Sequence, residues 1–204
     1  MKGNFEGAIY AILVSFILGV MLCPFIIPLL TRLKFGQTER TDGPESHLRK
    51  GGTPTMGGIA ILISLFITSI VFLIAYGDTR DGAAVLLLTA GFGVIGFIDD
   101  YIKVVEKRSL GLRAYQKIIG QAIITTLFVF YIYSAGIGTE VLLPFTRGRT
   151  LDLGLLYIPF IYIVVLGTVN GVNLTDGLDG LASGVTMIVA AFFMLTAWAG
   201  GSAV

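Results

Sequence analysis

Three short segments of this sequence carry oxygen and ammonium groups in patterns that suit phosphate chemistry. The sharpest is Asn170-Gly-Val-Asn173-Leu-Thr-Asp176-Gly-Leu-Asp179-Gly180, where Asn, Asn, Asp and Asp recur at every third position between glycines 171, 177 and 180. On helical or 3-10 backbone that spacing keeps neighbouring polar groups on roughly one side. Oxygen-bearing side chains with no basic partner in the segment suit a hard cation, or a uridine and its ribose. A calcium loop does not fit, because the spacing is three rather than two and no Glu closes it. A turn rich in Asn, Asp and Gly is the plainer alternative.

The second segment is Gly96-Phe-Ile-Asp99-Asp100-Tyr-Ile-Lys103-Val-Val-Glu-Lys107. If the helix continues through it, Lys103 lies four residues from Asp99 and three from Asp100, with Lys107 one turn beyond. Adjacent carboxylates at a membrane boundary are costly unless paired, metal-bound or hydrated. Beside lysines they suit magnesium–diphosphate chemistry: the acids hold metal or take a proton, and the lysines neutralise phosphate. A solvated helix end with surface ion pairs would contain the same residues. The third segment, Arg49-Lys50-Gly-Gly-Thr-Pro-Thr-Met-Gly-Gly58, has glycines that let backbone approach a ligand and a lysine suited to phosphate. It is not a Walker loop, since the Gly-Lys-Ser/Thr ending is absent.

The elements that must position these groups are read from uncharged apolar runs: 8–30, 57–76, 83–98, 118–137, 155–169 and 181–199. About 20 helical residues span a bilayer core, and the two shorter runs can borrow flanking residues. The expectation is an all-α integral membrane protein, one polytopic domain over 1–204 with six transmembrane helices. Pro24, Pro28 and Pro159 are expected to bend theirs. The first run is too long for a signal peptide and lacks its flanks.

Helix parity puts residues 31–56, 99–117 and 170–180 on one side, with ten Lys/Arg against four on the other. The positive-inside rule makes the ten-charge side cytoplasmic and the N-terminus external. All three polar segments then share the cytoplasmic face. On the outer side, a short hairpin is expected near 143–154 from Pro144, Gly148 and alternating residues.

Composition narrows the alternatives. The 204 residues are 55% hydrophobic and 13% charged, against about 25% charged in soluble domains. A net charge of +1 names no partner, and no nucleic acid is expected. Cys23 stands alone, which rules out an internal disulfide and a Cys-based metal site. His47 reads as a solvated loop residue, and Tyr157, Tyr162 and Trp198 as interfacial or packing aromatics.

Together, Lys50–Gly58, Asp99-Asp100 and Asn170–Gly180 followed by Leu181-Ala182 resemble the polyprenyl-phosphate N-acetylhexosamine-1-phosphate transferases, in order and spacing over nearly the whole sequence. The Thr-Pro-Thr-Met and Asn-Leu-Thr-Asp-Gly-Leu-Asp-Gly spellings are most similar to the branch using UDP-MurNAc-pentapeptide. The resemblance implies attack of undecaprenyl phosphate on the β-phosphate of that nucleotide, releasing UMP and forming lipid I, with Mg²⁺ required. It implies catalytic roles for Asp99, Asp100 and Asp176. It places Lys50, Thr55, Lys103, Lys117, Asn170, Asn173 and Asp179 at the substrates, and Asn173 and Asp176 at the metal. It further implies a bacterial inner-membrane location among membrane lipid, a homodimer, and sensitivity to the family's nucleoside inhibitors.

The family has about ten transmembrane helices, a later Phe-Met-Gly-Asp motif with its main metal-binding aspartate, and a histidine cluster. The resemblance therefore implies that this main metal aspartate lies beyond Val204, the last residue of the sequence. The expectation is the N-terminal two-thirds of such an enzyme, inactive by itself. Two rivals remain. A UDP-GlcNAc:polyprenyl-phosphate transferase would share the fold. A cation transporter using Asn170–Asp179 would place ionisable groups near the bilayer midplane, whereas all thirteen acids lie outside the apolar runs.

Overall fold

A computed structural model describes residues 2–32, 56–76, 80–106, 111–143, 146, 148–178 and 180–199. Among the described residues its helices are α1 (Lys2–Arg32), α2 (Gly58–Tyr76), α3 (Arg80–Val105), α4 (Ala114–Ser134), α5 (Tyr157–Thr175) and α6 (Leu181–Ala199). A two-stranded hairpin, β1 (Glu140–Leu142) and β2 (Thr150–Asp152), and a 3-10 turn at Gly154–Leu156 stand between α4 and α5. Among the described residues, α1 to α5 are long and apolar enough to cross a membrane, and α6 is apolar over Leu181–Ala197. Their outward residues are large and apolar, with Phe25 76% exposed and Phe130 72%. Water would penalise such a surface, whereas lipid solvates it. The chain is a multi-pass membrane protein.

It divides into two compact units, one running to Lys117 and the other from Ile118 to Gly200. In the first, α1 and α2 pack through small residues. Ala60, Ser64 and Thr68, one turn apart on α2, are each 3% exposed. A Cβ on Gly19 would stand 3.5 Å from the Ser64 hydroxyl, and one on Gly7 would run into the Tyr76 ring. Lipid tails supply no hydrophobic drive between helices, so close van der Waals contact through small side chains holds such pairs together. The opposite side of α2 meets α3, where Gly82 receives Leu73 and Gly93 receives Leu62.

In the second unit, Val129 and Ile132 of α4 pack with Ile161 of α5. Tyr157 and Tyr162 join this cluster, and the Tyr162 hydroxyl hydrogen-bonds to that of Thr126. Both tyrosines are thus packing aromatics, the polar tip of Tyr162 satisfied by Thr126.

The element boundaries differ from the apolar runs for local reasons. α3 continues seven residues past the run ending at 98, because its terminal charges pair along the helix. α4 starts at Ala114 rather than 118, and ends at Ser134 rather than 137. Gly136, with φ of +71°, closes it in a Schellman motif: Ile137 N–H donates to the Ile132 carbonyl at 3.1 Å, and Gly136 N–H to Tyr133 at 3.2 Å. α5 reaches Thr175, six residues beyond 169, so Asn170 and Asn173 are helical. Pro159 lies in its first turn, where a missing N–H costs no intrahelical bond.

The hairpin begins three residues before the expected 143, with Glu140 opposite Asp152, Val141 opposite Leu151 and Leu142 opposite Thr150. Two like charges face each other at its open end, which is unfavourable. Two donors offset this at Asp152, the Thr139 hydroxyl and the Gly154 N–H at 2.9 Å. The same two bonds, the hydroxyl first, hold the Asp152 carboxyl below its ordinary value. A depressed folded value means that this contribution is present above the unfolded carboxyl value near ~3.9 and lost as pH falls through the folded one. Titrating the Asp152 carboxyl by NMR in micelles should therefore give a midpoint below that of an unfolded reference. Thr139→Val should raise the midpoint and open the hairpin at a higher pH on acidification.

Candidate functional site

The C-terminal end of α3 brings together four of the residues singled out above. Continued helix carries Lys103 back over both acids: its Nζ lies 2.8 Å from Asp99 Oδ2 and 2.8 Å from Asp100 Oδ1. Lys117, in the first turns of α4, adds a second ammonium 3.8 Å from Asp99 Oδ2. Asp99 is 7% exposed, while about a third of the Asp100 side chain is accessible. Asp99 is thus the inward member and Asp100 the outward one. Burying a carboxylate costs several kcal/mol unless geometry and additional hydrogen bonds compensate, and here they do. Lys103 and Lys117 share one oxygen, and the Leu112 N–H donates to the other at 2.9 Å.

That last bond depends on Gly111, which carries no signal in the sequence. A Cβ at this position would stand 2.3 Å from the Asp99 carbonyl oxygen and 2.5 Å from Oδ1. The nearer atom is backbone and cannot swing aside. Only glycine lets residues 111–113 lie directly on the acid. The following residues then start α4. Arg113 N–H donates to Gln116 Oε1 at 2.9 Å, the side-chain half of a capping box. This fixes the first turn, from which Lys117 reaches back to Asp99. The hint available in the sequence was Gln116 three residues after Arg113; contact between Gly111 and Asp99 is a tertiary fact.

The α5 segment is arranged differently. Each three-residue step turns an α-helix by about 60° short of a full circle, so the Asn/Asp repeat winds around the axis rather than forming one stripe. Asn170 is half-buried and its amide bonds to Gln121 of α4. Asn173 and Asp176 are exposed, and Asp176 caps the helix with its N–H on the Val172 carbonyl. The turn into α6 needs Gly180 at φ +78°. Lys50, Thr55 and Asp179 lie outside the described residues. So does Val204, and with it the expectation of a main metal aspartate beyond that residue.

Among the described residues no three of His, Cys, Asp and Glu converge on a common metal position. Both oxygens of Asp99 already accept from protein donors, which argues against it as a metal ligand. Asn173 and Asp176 are exposed hard-oxygen donors. They suit magnesium, which keeps several waters and takes one or two protein oxygens alongside a substrate phosphate.

A profile for glycosyl transferase family 4 matches residues 82–204, which includes both the α3 cluster and the α5 segment. The chain belongs to this family. Residues 50–62 match the first phospho-N-acetylmuramoyl-pentapeptide-transferase signature. Curated relatives of that name include the protein of Clostridioides difficile (strain 630), 49% identical over 189 residues covering 92% of this chain and 58% of the relative. That of Thermoanaerobacter sp. (strain X514) is 50% identical over 193 residues, covering 94% and 59%. That of Halalkalibacterium halodurans is 47% identical, covering 92% and 58%. The chain spans a little under three-fifths of the length of these relatives.

The described part of the signature starts at Met56, which is 7% exposed and has φ of +70°. A left-handed conformation costs a non-glycine residue about 1–2 kcal/mol. Its carbonyl accepts the Ile59 N–H at 3.1 Å, starting α2. Strain of this kind is often held at functional loops.

The Gly111 contact gives a direct expectation. Gly111→Ala must push the chain from Asp99 by about 1 Å to restore ordinary contact, breaking the Leu112 bond. The full-length protein in detergent should lose about 1–3 kcal/mol of stability, read as a lowered unfolding midpoint. Gly96→Ala, where nothing lies within 4 Å, should leave the midpoint unchanged or raise it.

Proposed function

We propose that the protein to which this chain corresponds transfers phospho-MurNAc-pentapeptide from UDP-MurNAc-pentapeptide to undecaprenyl phosphate, a step of peptidoglycan synthesis. The observation that carries this reading is the phospho-N-acetylmuramoyl-pentapeptide-transferase signature on residues 50–62 of a family 4 chain. Relatives of that name, about half identical over more than nine-tenths of the chain, support it.

In the reaction an oxygen of the lipid phosphate bonds to the β-phosphorus of the nucleotide sugar. The bond from that phosphorus to the bridging oxygen breaks, and UMP leaves with the electron pair. The acceptor phosphate is largely ionised near neutral pH, its second pKa being about 6. The larger barrier is bringing two anionic phosphates together, so neutralisation dominates catalysis. Lys103 and Lys117 supply fixed positive charge at the end of α3. Asp99 holds both ammonium groups, and the more accessible Asp100 takes the remaining proton of an acceptor phosphate that arrives as the monoanion. Lys50, Thr55, Asn173 and Asp179 contribute to donor binding. Asn173 and Asp176 would hold Mg²⁺, which supplies charge neutralisation on the diphosphate when bound.

The site works at the cytoplasmic face of the bacterial plasma membrane, a reading supported by the ten Lys/Arg against four that parity assigns to the side of residues 31–56, 99–117 and 170–180. Membrane lipid surrounds the helices and delivers the polyprenyl substrate. A homodimer and sensitivity to nucleoside inhibitors belong to the same reading.

The test is lipid I formation by the purified full-length protein. With Mg²⁺ and undecaprenyl phosphate it should use UDP-MurNAc-pentapeptide and release UMP, with turnover abolished by EDTA and restored by Mg²⁺. Asp100→Asn should lower kcat by roughly 10²–10⁴-fold. Preference for UDP-GlcNAc would replace the donor assignment, and wild-type turnover by Asp100→Asn would remove that carboxylate from the chemistry.

A further inference from the structure

The polar end of α5 is tied to α4 by a buried contact. Gln121 of α4 is 1% exposed. Its carboxamide meets that of Asn170 in a two-way exchange. Asn170 Nδ2 donates to Gln121 Oε1 at 2.8 Å, and Gln121 Nε2 donates to Asn170 Oδ1 at 3.4 Å. Asn170 Nδ2 also donates to the Leu166 carbonyl one turn back, at 2.8 Å. Thr125, fully buried, places its hydroxyl on the Gln121 carbonyl at 2.8 Å. Both ends of the Asn170 amide are therefore occupied by protein.

Directional bonds fix what apolar contacts leave loose. Val129, Ile132 and Ile161 hold the two helices together, but apolar packing is tolerant of small rotations, whereas a paired amide is not. In an apolar surrounding, rotating α5 would strand two amides without partners. Asn173 and Asp176 lie three and six residues beyond Asn170. That is about 4.5 and 9 Å along the axis, and roughly 60° and 120° around it. Once Asn170 is fixed, the directions of these two side chains follow.

We propose that Gln121 and Asn170 form a positioning clamp that sets the rotation of α5 and so presents Asn173 and Asp176 to the donor diphosphate and its metal. Asn170 acts through its neighbours on the helix and does not touch substrate. Gln121, outside every motif of the sequence, is part of the machinery. The inference rests on the transfer reaction proposed above but not on the identity of the sugar.

The experiment uses the full-length enzyme in detergent, with kcat and KM taken for whichever UDP-sugar the wild type turns over. A wrong donor assignment then shows in the wild type and leaves the clamp comparison intact. Gln121→Met and Asn170→Leu, each close to isosteric, orphan one buried amide. Each should lower the melting midpoint and reduce kcat/KM by roughly 10–100-fold, the scale of a small misplacement at a reacting centre. The double variant orphans nothing. Its midpoint should recover while kcat/KM stays low, with KM for the nucleotide sugar raised. Exchanging the pair, Gln121→Asn with Asn170→Gln, keeps the total side-chain length and should restore both readouts. Recovery of kcat/KM by the apolar double variant would reduce the pair to packing and overturn the proposal. An exchange variant that folds at the wild-type midpoint yet stays as slow as Asn170→Leu would overturn it too, since Asn170 would then be meeting the substrate. Should the apolar double variant fail to regain its midpoint, the exchange variant decides alone.

Discussion

A buried carboxylate at the end of a membrane-crossing helix has to be compensated from within the protein, and Asp99 shows how much structure that requirement organises. Two ammonium groups and a backbone N–H converge on its two oxygens. Lys103 must lie on the same helix one turn later, so α3 has to continue past its apolar run. Lys117 must come from the next helix, so α4 has to begin early, with its entry fixed by Gln116. The connecting chain must approach to contact distance, so residue 111 has to be glycine. One desolvated acid thus dictates two helix boundaries, a cap and a turn. Removing any single donor leaves a charge under-compensated in a low-dielectric setting, which is why such clusters resist piecemeal change.

The second unit meets the same constraint with neutral groups. Carboxamides cost less to bury than charges, and a reciprocal pair satisfies both at once. Gln121 and Asn170 use that economy where α4 and α5 touch, and Asn173 and Asp176 farther along the chain are exposed. In both units the more buried member of a like pair has a more exposed partner nearby: Asp100 beside Asp99, and Asn173 three residues from Asn170. Asp99 and Asp100 share the Lys103 ammonium yet differ in burial, because each residue along a helix turns the side chain by about 100°.

In the first unit the helices are joined mainly by small residues and enveloped by large apolar ones. Ala60, Ser64 and Thr68 on α2, with Gly7 and Gly19 on α1, bring backbones close where no hydrophobic drive operates between helices. The hairpin between α4 and α5 closes with a Thr139–Asp152 contact that relieves the opposition of Glu140 and Asp152.

The sequence by itself determined the membrane class, the approximate place of the described helices, and the pairing of Lys103 with Asp99 and Asp100. Each of these follows from hydrophobic run length or from helical periodicity, which act over one or two turns and are printed in residue order. It also contained the transferase signature and family 4 character later matched by known relatives. Tertiary structure alone decided that Asp99 is inward and Asp100 outward, that Gly111 is obligatory for its contact, and that Asn170 serves Gln121. Those outcomes depend on which side chains meet across 13 and 49 residues of chain. Periodicity says how a helix is faced, but burial and partner choice are settled only when a second element arrives to cover that face.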